Sequence, residues 1–352
     1  MKKNNRSRTS SKAASAQPTE IVTLGMVAQA AGVSPATVSR ILNGSATVSA
    51  EKRKAVDAAI AQLGFVPNLM ARGLAGGRTL SVGVITQSLD SPFYGGALRG
   101  IEDEFDQADY SSLFVSGHWN AAEEARCIDM LRSRRVDGLV ILSGRLSDQA
   151  LRALARQLPV VVTGRTLKAP GLFAMDFDNV EGGRLATQHL LELGHRRIAF
   201  ISGESHHPDA NQRLRGYRAA LEGASIAFNP ALVLPGLFHE ESGLLAVQRL
   251  IENRERFSAV FAANDQMAFG AALGLSRHGL RVPDDVSLMG FDDLASSMYC
   301  LPPLSTVHQP VYELGRLAAT AMLALLRGEA PDAVMPAPKL VLRDSTQAFA
   351  KL

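Results

Sequence analysis

Residues 22–43 read VTLGMVAQAAGVSPATVSRILN and predict two short helices joined by a tight turn. The hydroxyl of Thr23 can cap the first helix, and apolar side chains then recur at the spacing of one helical face. Gly32 suits the left-handed residue that ends this helix, and Ser34 followed by Pro35 is typical of the start of a second one. The pattern predicts a helix-turn-helix, although two packed helices of a larger helical domain would carry similar signals.

The second helix turns its apolar residues inward and leaves small or polar side chains exposed. Such a helix fits the major groove of DNA, where the residues of its first turn lie nearest the bases. Pro35 and Ala36 are therefore predicted to pack on thymine methyl groups, and Arg40 to bind guanine. The polar residues of the same stretch, predicted to complete the DNA-binding surface mainly through phosphates, are Thr23, Ser34, Thr37, Ser39 and Asn43.

The charge of the chain is unevenly distributed. Residues 1–79 contain 11 Lys and Arg against 3 Asp and Glu, whereas residues 80–352 contain 26 against 31. A basic front section suits phosphate binding by one small domain, and the acidic remainder would be repelled by DNA. Residues 1–20 contain almost nothing apolar, so we expect a disordered basic tail that either adds attraction to DNA or has no role.

The bulk composition excludes several classes of protein. A chain of 352 residues is longer than one typical core, so two or three folding units are expected. No stretch approaches the roughly 18 apolar residues of a membrane helix, and no apolar core follows the basic N-terminus, so we expect a cytoplasmic protein. Cys127 and Cys300 lack the spacing of a metal or redox pair, so no metal or cofactor is expected.

A third helix is expected after the first two, capped by Ser49 and ended by Gly64. It completes a DNA-binding domain of residues 21–66. Residues 67–79 then allow only about one and a half turns of helix, too short to be stable alone. Taken by themselves, these residues are a flexible linker.

From residue 80 onward, apolar runs alternate with amphipathic helical stretches. Continuous apolar runs indicate strands buried on both faces, and therefore parallel sheets flanked by helices. Residues 80–352 are too many for one such sheet, so an α/β domain of two lobes is predicted. The predicted strands are residues 81–86, 112–116, 138–142, 160–163, 198–202, 259–263 and 286–290.

Ligands of open parallel sheets bind at the carboxyl ends of the strands, and polar or aromatic residues follow several of the predicted strands. Carboxylates, amides and a guanidinium can bind paired hydroxyl groups, while an aromatic ring covers the apolar face of a sugar. This mixture predicts a sugar pocket. Its candidate residues are Asp90, Phe93, Tyr94, Arg165, Arg213, Asn264, Asp265 and Asp292.

Each of these assignments has a structural alternative. An aspartate at a strand end can simply be the cap of the following helix, and Asp265 suits both roles. Trp119, the single tryptophan, can stack on a sugar, but a packing role is favoured. His206 and His207 lie beside Pro208 in a predicted loop. Because the usual nucleophile, phosphate-binding, dinucleotide and zinc motifs do not occur, we expect no enzyme and no catalytic residues.

Four segments, in order, resemble the LacI/GalR family of bacterial transcription regulators. They are the V-T-L, A-G-V-S and T-V-S-R runs of residues 22–43, Val48-Ser49 with Pro67-Asn68, ANDQMA at 263–268, and GFDD at 290–293 leading into PPLSTV at 302–307. The resemblance implies a two-lobed fold like that of periplasmic sugar-binding proteins, with chain crossings near Gly164, Gly290 and Leu304. Among the pocket residues it best supports Arg213, Asp265 and Asp292.

The resemblance also assigns a role to residues 67–79. In the family this segment is a hinge helix that orders on operator DNA and inserts a leucine into the minor groove. By position, Leu74 would be that leucine, Arg72 would meet the groove or its phosphates, and Asn68 would lie on the same surface.

The function implied is a DNA-binding regulator, expected to be a repressor, that binds a near-palindromic operator as a homodimer and responds to a mono- or disaccharide. Because only six residues follow Thr346, we expect no tetramer-forming coiled coil. A periplasmic-type sugar-binding protein without a regulatory role is the alternative, and a sugar-converting enzyme is a third possibility.

Overall fold

The computed structural model describes residues 22–42, 48–65 and 78–349. The chain forms two compact units, Met1–Thr79 and Leu80–Leu352. Within the described ranges, no helix has both the length and the apolar character needed to cross a membrane.

The first unit is a group of helices around a small apolar core. Its helices are α1 (Leu24–Ala30), α2 (Pro35–Leu42) and α3 (Ala50–Leu63). Thr23 caps α1 by accepting from the Met26 amide at 3.4 Å, and Ser34 caps α2 by accepting from the Thr37 amide at 3.2 Å. Gly64 ends α3 with φ 64°, but the Ser49 side chain makes no capping bond, contrary to prediction. The buried core residues are Val27, Ala28, Val38, Ile41, Val56, Ala59 and Phe65.

The second unit begins with a parallel α/β lobe. Its strands are β1 (Ser81–Thr86), β2 (Ser111–Ser116), β3 (Gly138–Ile141), β4 (Val160–Thr163) and β5 (Leu172–Met175). They form one sheet in the order β2-β1-β3-β4-β5. The helices that connect them are α4 (Pro92–Asp106), α5 (Ala121–Ser133) and α6 (Asp148–Ala155).

The second lobe repeats this architecture. Its helices are α7 (Asn179–Glu192), α8 (Pro208–Gly223), α9 (Glu240–Glu252) and α10 (Asp265–Arg277). Its strands are β6 (Ile198–Ser202), β7 (Val233–Pro235), β8 (Ala259–Ala262) and β9 (Ser287–Met289). They pair in parallel in the order β7-β6-β8-β9, so the prediction of two parallel sheets flanked by helices is confirmed.

The last elements join the lobes. Strands β10 (Thr306–His308) and β11 (Lys339–Val341) pair antiparallel, and helix α11 (Val311–Arg327) lies between them in the sequence. Helix α11 returns to the first lobe and packs on α4. Two glycines permit this close packing, since a Cβ on Gly100 would lie 2.1 Å from the Tyr312 carbonyl oxygen and one on Gly315 would lie 1.9 Å from the Ala97 carbonyl oxygen.

The chain passes between the lobes at residues 176–178, 309–310 and 328–338. Met175 belongs to the core of the first lobe, whereas Phe177 belongs to that of the second. The predicted crossings near Gly164, Gly290 and Leu304 are therefore wrong. Strand β5, which was not predicted, keeps the chain in the first lobe after Gly164, and Phe291 and Leu304 are still part of the second core.

Candidate functional site

A cavity lies where the strand ends of the two lobes face each other, with about 470 Å³ of space when the part open to solvent is included. The first lobe contributes aromatic residues, and the second contributes most of the polar ones. The lining residues are Ser91, Phe93, Tyr94, Trp119, His207, Asp209, Arg213, Phe238, Asn264, Gln266 and Asp292. The structure thus brings together five of the eight predicted pocket residues: Phe93, Tyr94, Arg213, Asn264 and Asp292.

Arg213, on α8, is held by a set of internal contacts. Its Nε donates to Asn179 Oδ1 at 2.8 Å, and its Nη2 donates to Gln309 Oε1 at 3.0 Å. Its Nη1 donates to the Ala263 carbonyl oxygen and lies 3.4 Å from Asp292 Oδ1. The guanidinium carbon also lies 3.7 Å from the centre of the Phe291 ring. The guanidinium is therefore fixed in position before any ligand arrives.

Asp292 presents its carboxylate to the cavity from a strained backbone. Its φ is 110°, and that of Asp293 is 59°, both in the left-handed region that favours glycine. The Asp292 amide donates to the Val307 carbonyl oxygen at 2.9 Å, while Asp293 accepts from Arg343 at 2.7 Å. Burial raises the pKa of Asp292 well above its usual range, and the Arg213 charge opposes that rise. Strain of this kind is characteristic of functional positions.

Asp209 lies in the first turn of α8 and lines two adjoining cavities. The second cavity, of about 370 Å³, also contains Asp176. Burial raises the pKa of Asp209, and the charge of Arg213 lowers it in part. Asp209 is thus a second carboxyl group in the cleft, in addition to that of Asp292, which pairs with Arg213.

Three rings form one wall of the cleft. The centre of the His207 ring lies 4.2 Å from that of Trp119 and 4.9 Å from that of Phe238. Because Trp119 belongs to the first lobe and the other two rings to the second, this wall bridges the lobes. Burial, assisted by the charge of Arg213, lowers the pKa of His207 to about 3, so its ring is neutral at physiological pH.

The loop that carries Trp119 is also strained. His118 and Trp119 both have φ 52°. Gln87 supports this turn because its Oε1 accepts from the Trp119 amide at 2.8 Å. The Gln87 Nε2 atom and the Thr86 hydroxyl beneath it are buried without a protein partner among the described residues.

Three predicted pocket residues do not line the cavity. Asp265 is fully buried, and its carboxylate accepts from the Ser297 and Thr306 hydroxyls at 2.6 Å each and from the Leu294 amide at 2.8 Å. It therefore braces the loop after β9. It does not cap α10 either, because Asn264 accepts from the Met267 amide at 2.9 Å.

The other two belong to the first lobe. Arg165 donates to Asp148 Oδ1 at 3.0 Å and to the Gly144 carbonyl oxygen at 2.7 Å, so it stabilises neighbouring loops. Asp90 is exposed and accepts a hydrogen bond from the Ser88 hydroxyl, which lowers its pKa. Both were predicted from their positions after strands, but their side chains turn to local partners.

The sequence analysis did not select several lining residues. These are Ser91, His207, Asp209, Phe238 and Gln266, and Trp119 was assigned a packing role. Phe238 was missed because it follows β7, a short strand with a proline that was not predicted. His207 and Asp209 follow the predicted strand β6, so the strand-end rule would have found them if α8 had been placed from Pro208.

In the first unit, five of the seven predicted DNA-binding residues that the structure describes are exposed. Thr23, Ser34, Pro35, Ala36 and Arg40 are exposed, whereas Thr37 and Ser39 are half-buried. The Ser34 and Thr37 hydroxyls lie 2.9 Å apart, and Arg40 Nε donates to the Ala36 carbonyl oxygen at 3.2 Å. The remaining predicted residues fall outside the described part of the chain: Asn43, Asn68, Arg72 and Leu74.

Comparison with known families defines the class of protein. Residues 23–68 match the family of bacterial regulatory proteins of the lacI family, and residues 187–346 match a periplasmic binding protein-like domain. A helix-turn-helix joined to a two-lobed binding domain is the organisation of a DNA-binding transcriptional regulator.

Individual relatives extend the match over most of the chain. The HTH-type transcriptional repressor PurR of Haemophilus influenzae (strain PittEE) is 36% identical over 306 residues, covering 86% of this chain and 90% of the relative. The lac repressor dimer bound to operator and the anti-inducer ONPF has 32% identity and a TM-score of 0.84, covering 94% of this chain and all of that one. A transcriptional regulator CelR-cellobiose complex has 36% identity and a TM-score of 0.69, covering 92% and 99%. The chain belongs to the lacI family of bacterial regulatory proteins.

Proposed function

We propose that the protein is a transcriptional repressor whose affinity for operator DNA is set by a sugar bound in the cleft. The observation that carries this proposal is that one chain combines a helix-turn-helix with an exposed α2 and a two-lobed unit whose cleft holds fixed polar groups opposite aromatic ones. Carboxylates, a guanidinium and an amide suit sugar hydroxyls, and Phe93, Trp119 and Phe238 suit the apolar face of the ring. We assign it no catalytic role and no cofactor, and we place it in the cytoplasm.

Arg213 is the residue through which we expect the ligand to act on the lobes. It holds Asn179, just after the first crossing of the chain, and Gln309, within the second. A ligand that contacts Arg213 therefore acts on a side chain that is bonded to the segments about which the lobes would rotate. It can favour one lobe arrangement over another, which is a population shift.

The proposed DNA complex is a homodimer on a near-palindromic operator. Two-fold symmetry in the protein requires matching half-sites in the DNA. Support for self-association comes from exposed apolar side chains on one loop, Met298, Tyr299 and Leu301, with exposed fractions of 55%, 83% and 95%. In this proposal residues 67–79 act as the hinge, and Leu74 enters the minor groove.

The experiment begins with selection of duplexes from a random pool by the full chain, followed by fluorescence anisotropy on the selected sequence. We expect Arg40→Ala to weaken binding by about 5- to 100-fold and to relax the selected sequence at one position. Arg277→Ala, an exposed arginine in the second unit, is the matched control. If no sequence is enriched, the proposed function is wrong.

The same duplex tests the hinge. Leu74→Gly should lower operator affinity while leaving the melting temperature of the second unit unchanged, because an apolar wedge contributes only in the DNA complex. Equal affinity of Leu74→Gly and the parent would remove the hinge from the mechanism.

A further inference from the structure

The residues that line the cleft include more acidic groups than basic ones. Among the described residues that line the two cavities, Arg213 is the one cation, whereas Asp176, Asp209 and Asp292 are acidic. Arg213 forms its ion pair with Asp292, so among the described residues neither Asp209 nor Asp176 forms an ion pair with a cation that lines these cavities, although the Arg213 charge partly lowers the pKa of Asp209. An anion entering the cleft would meet an excess of carboxylates.

The donors of Arg213 are also largely occupied. A guanidinium has five N–H groups, and four of them are directed at Asn179, Ala263, Asp292 and Gln309. A phosphate or carboxylate is bound well when it receives two parallel N–H bonds from an arginine. Arg213 cannot offer that pair without breaking contacts that hold the lobes.

Helix N-termini are the other common source of anion binding, and the two that line the cleft from the second lobe already have polar side chains beside them. Asp209 places its own carboxylate in the first turn of α8. The side chain of Asn264 accepts from the Met267 amide at the start of α10, and the Asp265 amide donates to the Phe291 carbonyl oxygen at 2.8 Å. The positive ends of α8 and α10 therefore already have a carboxylate or an amide oxygen beside them, whereas the N-terminus of α4, which lines the cleft from the first lobe, has no side-chain cap.

The remaining lining groups suit an uncharged ligand. His207 is 8% exposed, and its Nδ1 has no partner among the described residues. The aromatic wall offers apolar contact area beside the carboxylate oxygens, which accept hydrogen bonds from hydroxyl groups. Arg145 and Arg165 do not line either cavity, although the charge of Arg145 contributes to lowering the pKa of His207.

We infer that the cleft selects an uncharged, hydroxyl-rich sugar and rejects its phosphorylated or carboxylated counterparts, and that Asp209 sets this selection. This rests on the proposed function and narrows its ligand class. Asp209 acts by like-charge repulsion of an anion at the junction of the two cavities, and it accepts from the hydroxyls of a neutral sugar.

The test compares matched probes by thermal shift and calorimetry on the full chain. The neutral probes are glucose, galactose, ribose and cellobiose. The anionic probes are glucose 6-phosphate, ribose 5-phosphate, glucuronate and galacturonate. We expect at least one neutral probe to bind, and its anionic counterparts to bind at least 100-fold more weakly. A tighter anionic probe, or no neutral probe that binds, overturns the inference.

Variants assign the selection to Asp209. Asp209→Asn should reduce the neutral-over-anionic preference at least tenfold, while Asp209→Glu, which keeps the charge, should retain it. Asp129→Asn makes the same charge change at an exposed position on α5 and should leave the preference unchanged. An unchanged preference in a folded Asp209→Asn variant overturns the role of Asp209.

Operator selection separates this inference from the proposed function. A chain that enriches a duplex sequence but binds only anionic sugars remains a regulator and contradicts the inference. A chain that binds neutral sugars but enriches no duplex contradicts the proposed function and leaves the ligand class standing.

Discussion

The two sides of the cleft are built differently. On the side of the second lobe, Arg213 and Asp292 are buried and engaged in a network of protein contacts. On the side of the first lobe, Phe93 and Trp119 are half-buried rings, and Trp119 lies on a strained turn with an unpaired buried amide beneath it. The difference indicates that the second lobe combines ligand binding with a buried polar network, whereas the first-lobe rings pack partly buried against their own core and offer the rest of their surface to the ligand.

The largest expected effect on stability follows removal of the Arg213 charge, on the second-lobe side of the cleft. Arg213→Ala leaves Asp292 buried without its partner and should destabilise the second unit by about 3–5 kcal/mol. Chemical denaturation measures this effect. Arg215→Ala, an exposed arginine on the same helix, should change the unfolding free energy by less than about 0.5 kcal/mol. Similar losses in both variants would contradict the role of the network.

Asp265 sharpens the comparison because it is buried beside the cleft without facing it. Asp265→Ala removes the acceptor of two hydroxyls and one amide, so we expect a loss of about 3 kcal/mol. Ligand affinity, measured by calorimetry on the folded fraction, should stay within about twofold of the parent. A residue that binds the ligand directly would lose about tenfold or more, which corresponds to about 1.4 kcal/mol. A large loss of ligand affinity with unchanged stability would show that Asp265 belongs to the binding site.

The same residue predicts a dependence of stability on pH. Burial raises the pKa of Asp265 to about 6 from an ordinary 3.8, against the opposing effect of its three donors. Between about pH 4 and pH 6 the folded state therefore holds a proton on Asp265 that the unfolded state has lost. The stability gained from this tighter proton binding is complete below about pH 4 and disappears as pH rises through about 6. The unfolding free energy of the parent minus that of Asp265→Asn should be larger at pH 5 than at pH 7.5. A flat or falling difference would contradict this assignment.

A smaller effect on stability is expected from a change to Trp119, on the first-lobe side of the cleft. Trp119→Leu removes one ring of the aromatic wall and should weaken sugar binding by about tenfold, with a loss of stability below about 1 kcal/mol. Trp119→Phe keeps a ring and should recover part of the affinity. If Trp119→Leu lowers the melting temperature as much as Arg213→Ala, the contrast between the two sides is wrong.

The smallest effect concerns the support beneath that ring. Gln87→Leu removes the acceptor of the Trp119 amide together with an unpaired buried amide group, and these changes have opposite effects on stability. We therefore expect nearly unchanged melting and a loss of sugar affinity of about threefold, comparable to one weak hydrogen bond. Melting detects a structural role of Gln87, whereas calorimetry detects its positioning of Trp119.

Periodic apolar patterns made much of the fold predictable from the sequence. The strands from β1 to β4, and β6, β8 and β9, were expected within one or two residues because each contains a continuous apolar run, although β2 is only half-buried. Strand β5 was missed because no helix separates it from β4, which breaks the alternation of strands and helices, and β7 because it is short and contains a proline. The omission of β7 also concealed Phe238, whereas the wrong crossings came from the family resemblance.

The site was predictable only in part, because position after a strand does not fix the direction of a side chain. Asp265 and Asp292 both follow strands of the second lobe, yet the left-handed backbone at Asp292 directs its carboxylate to the cavity, whereas hydroxyls on the neighbouring loop hold that of Asp265. Such details depend on contacts between residues far apart in the sequence. They become visible only when the lobes are assembled.

The central claim is that a ligand in the cleft changes the affinity of the same chain for DNA. The most direct measurement is an anisotropy titration of the selected duplex, with and without a saturating concentration of the neutral sugar that gives the largest thermal shift. We predict a change in the dissociation constant of at least about fivefold, with Trp119→Leu needing correspondingly more sugar for the same change. A dissociation constant that is the same with and without the sugar would contradict the claim.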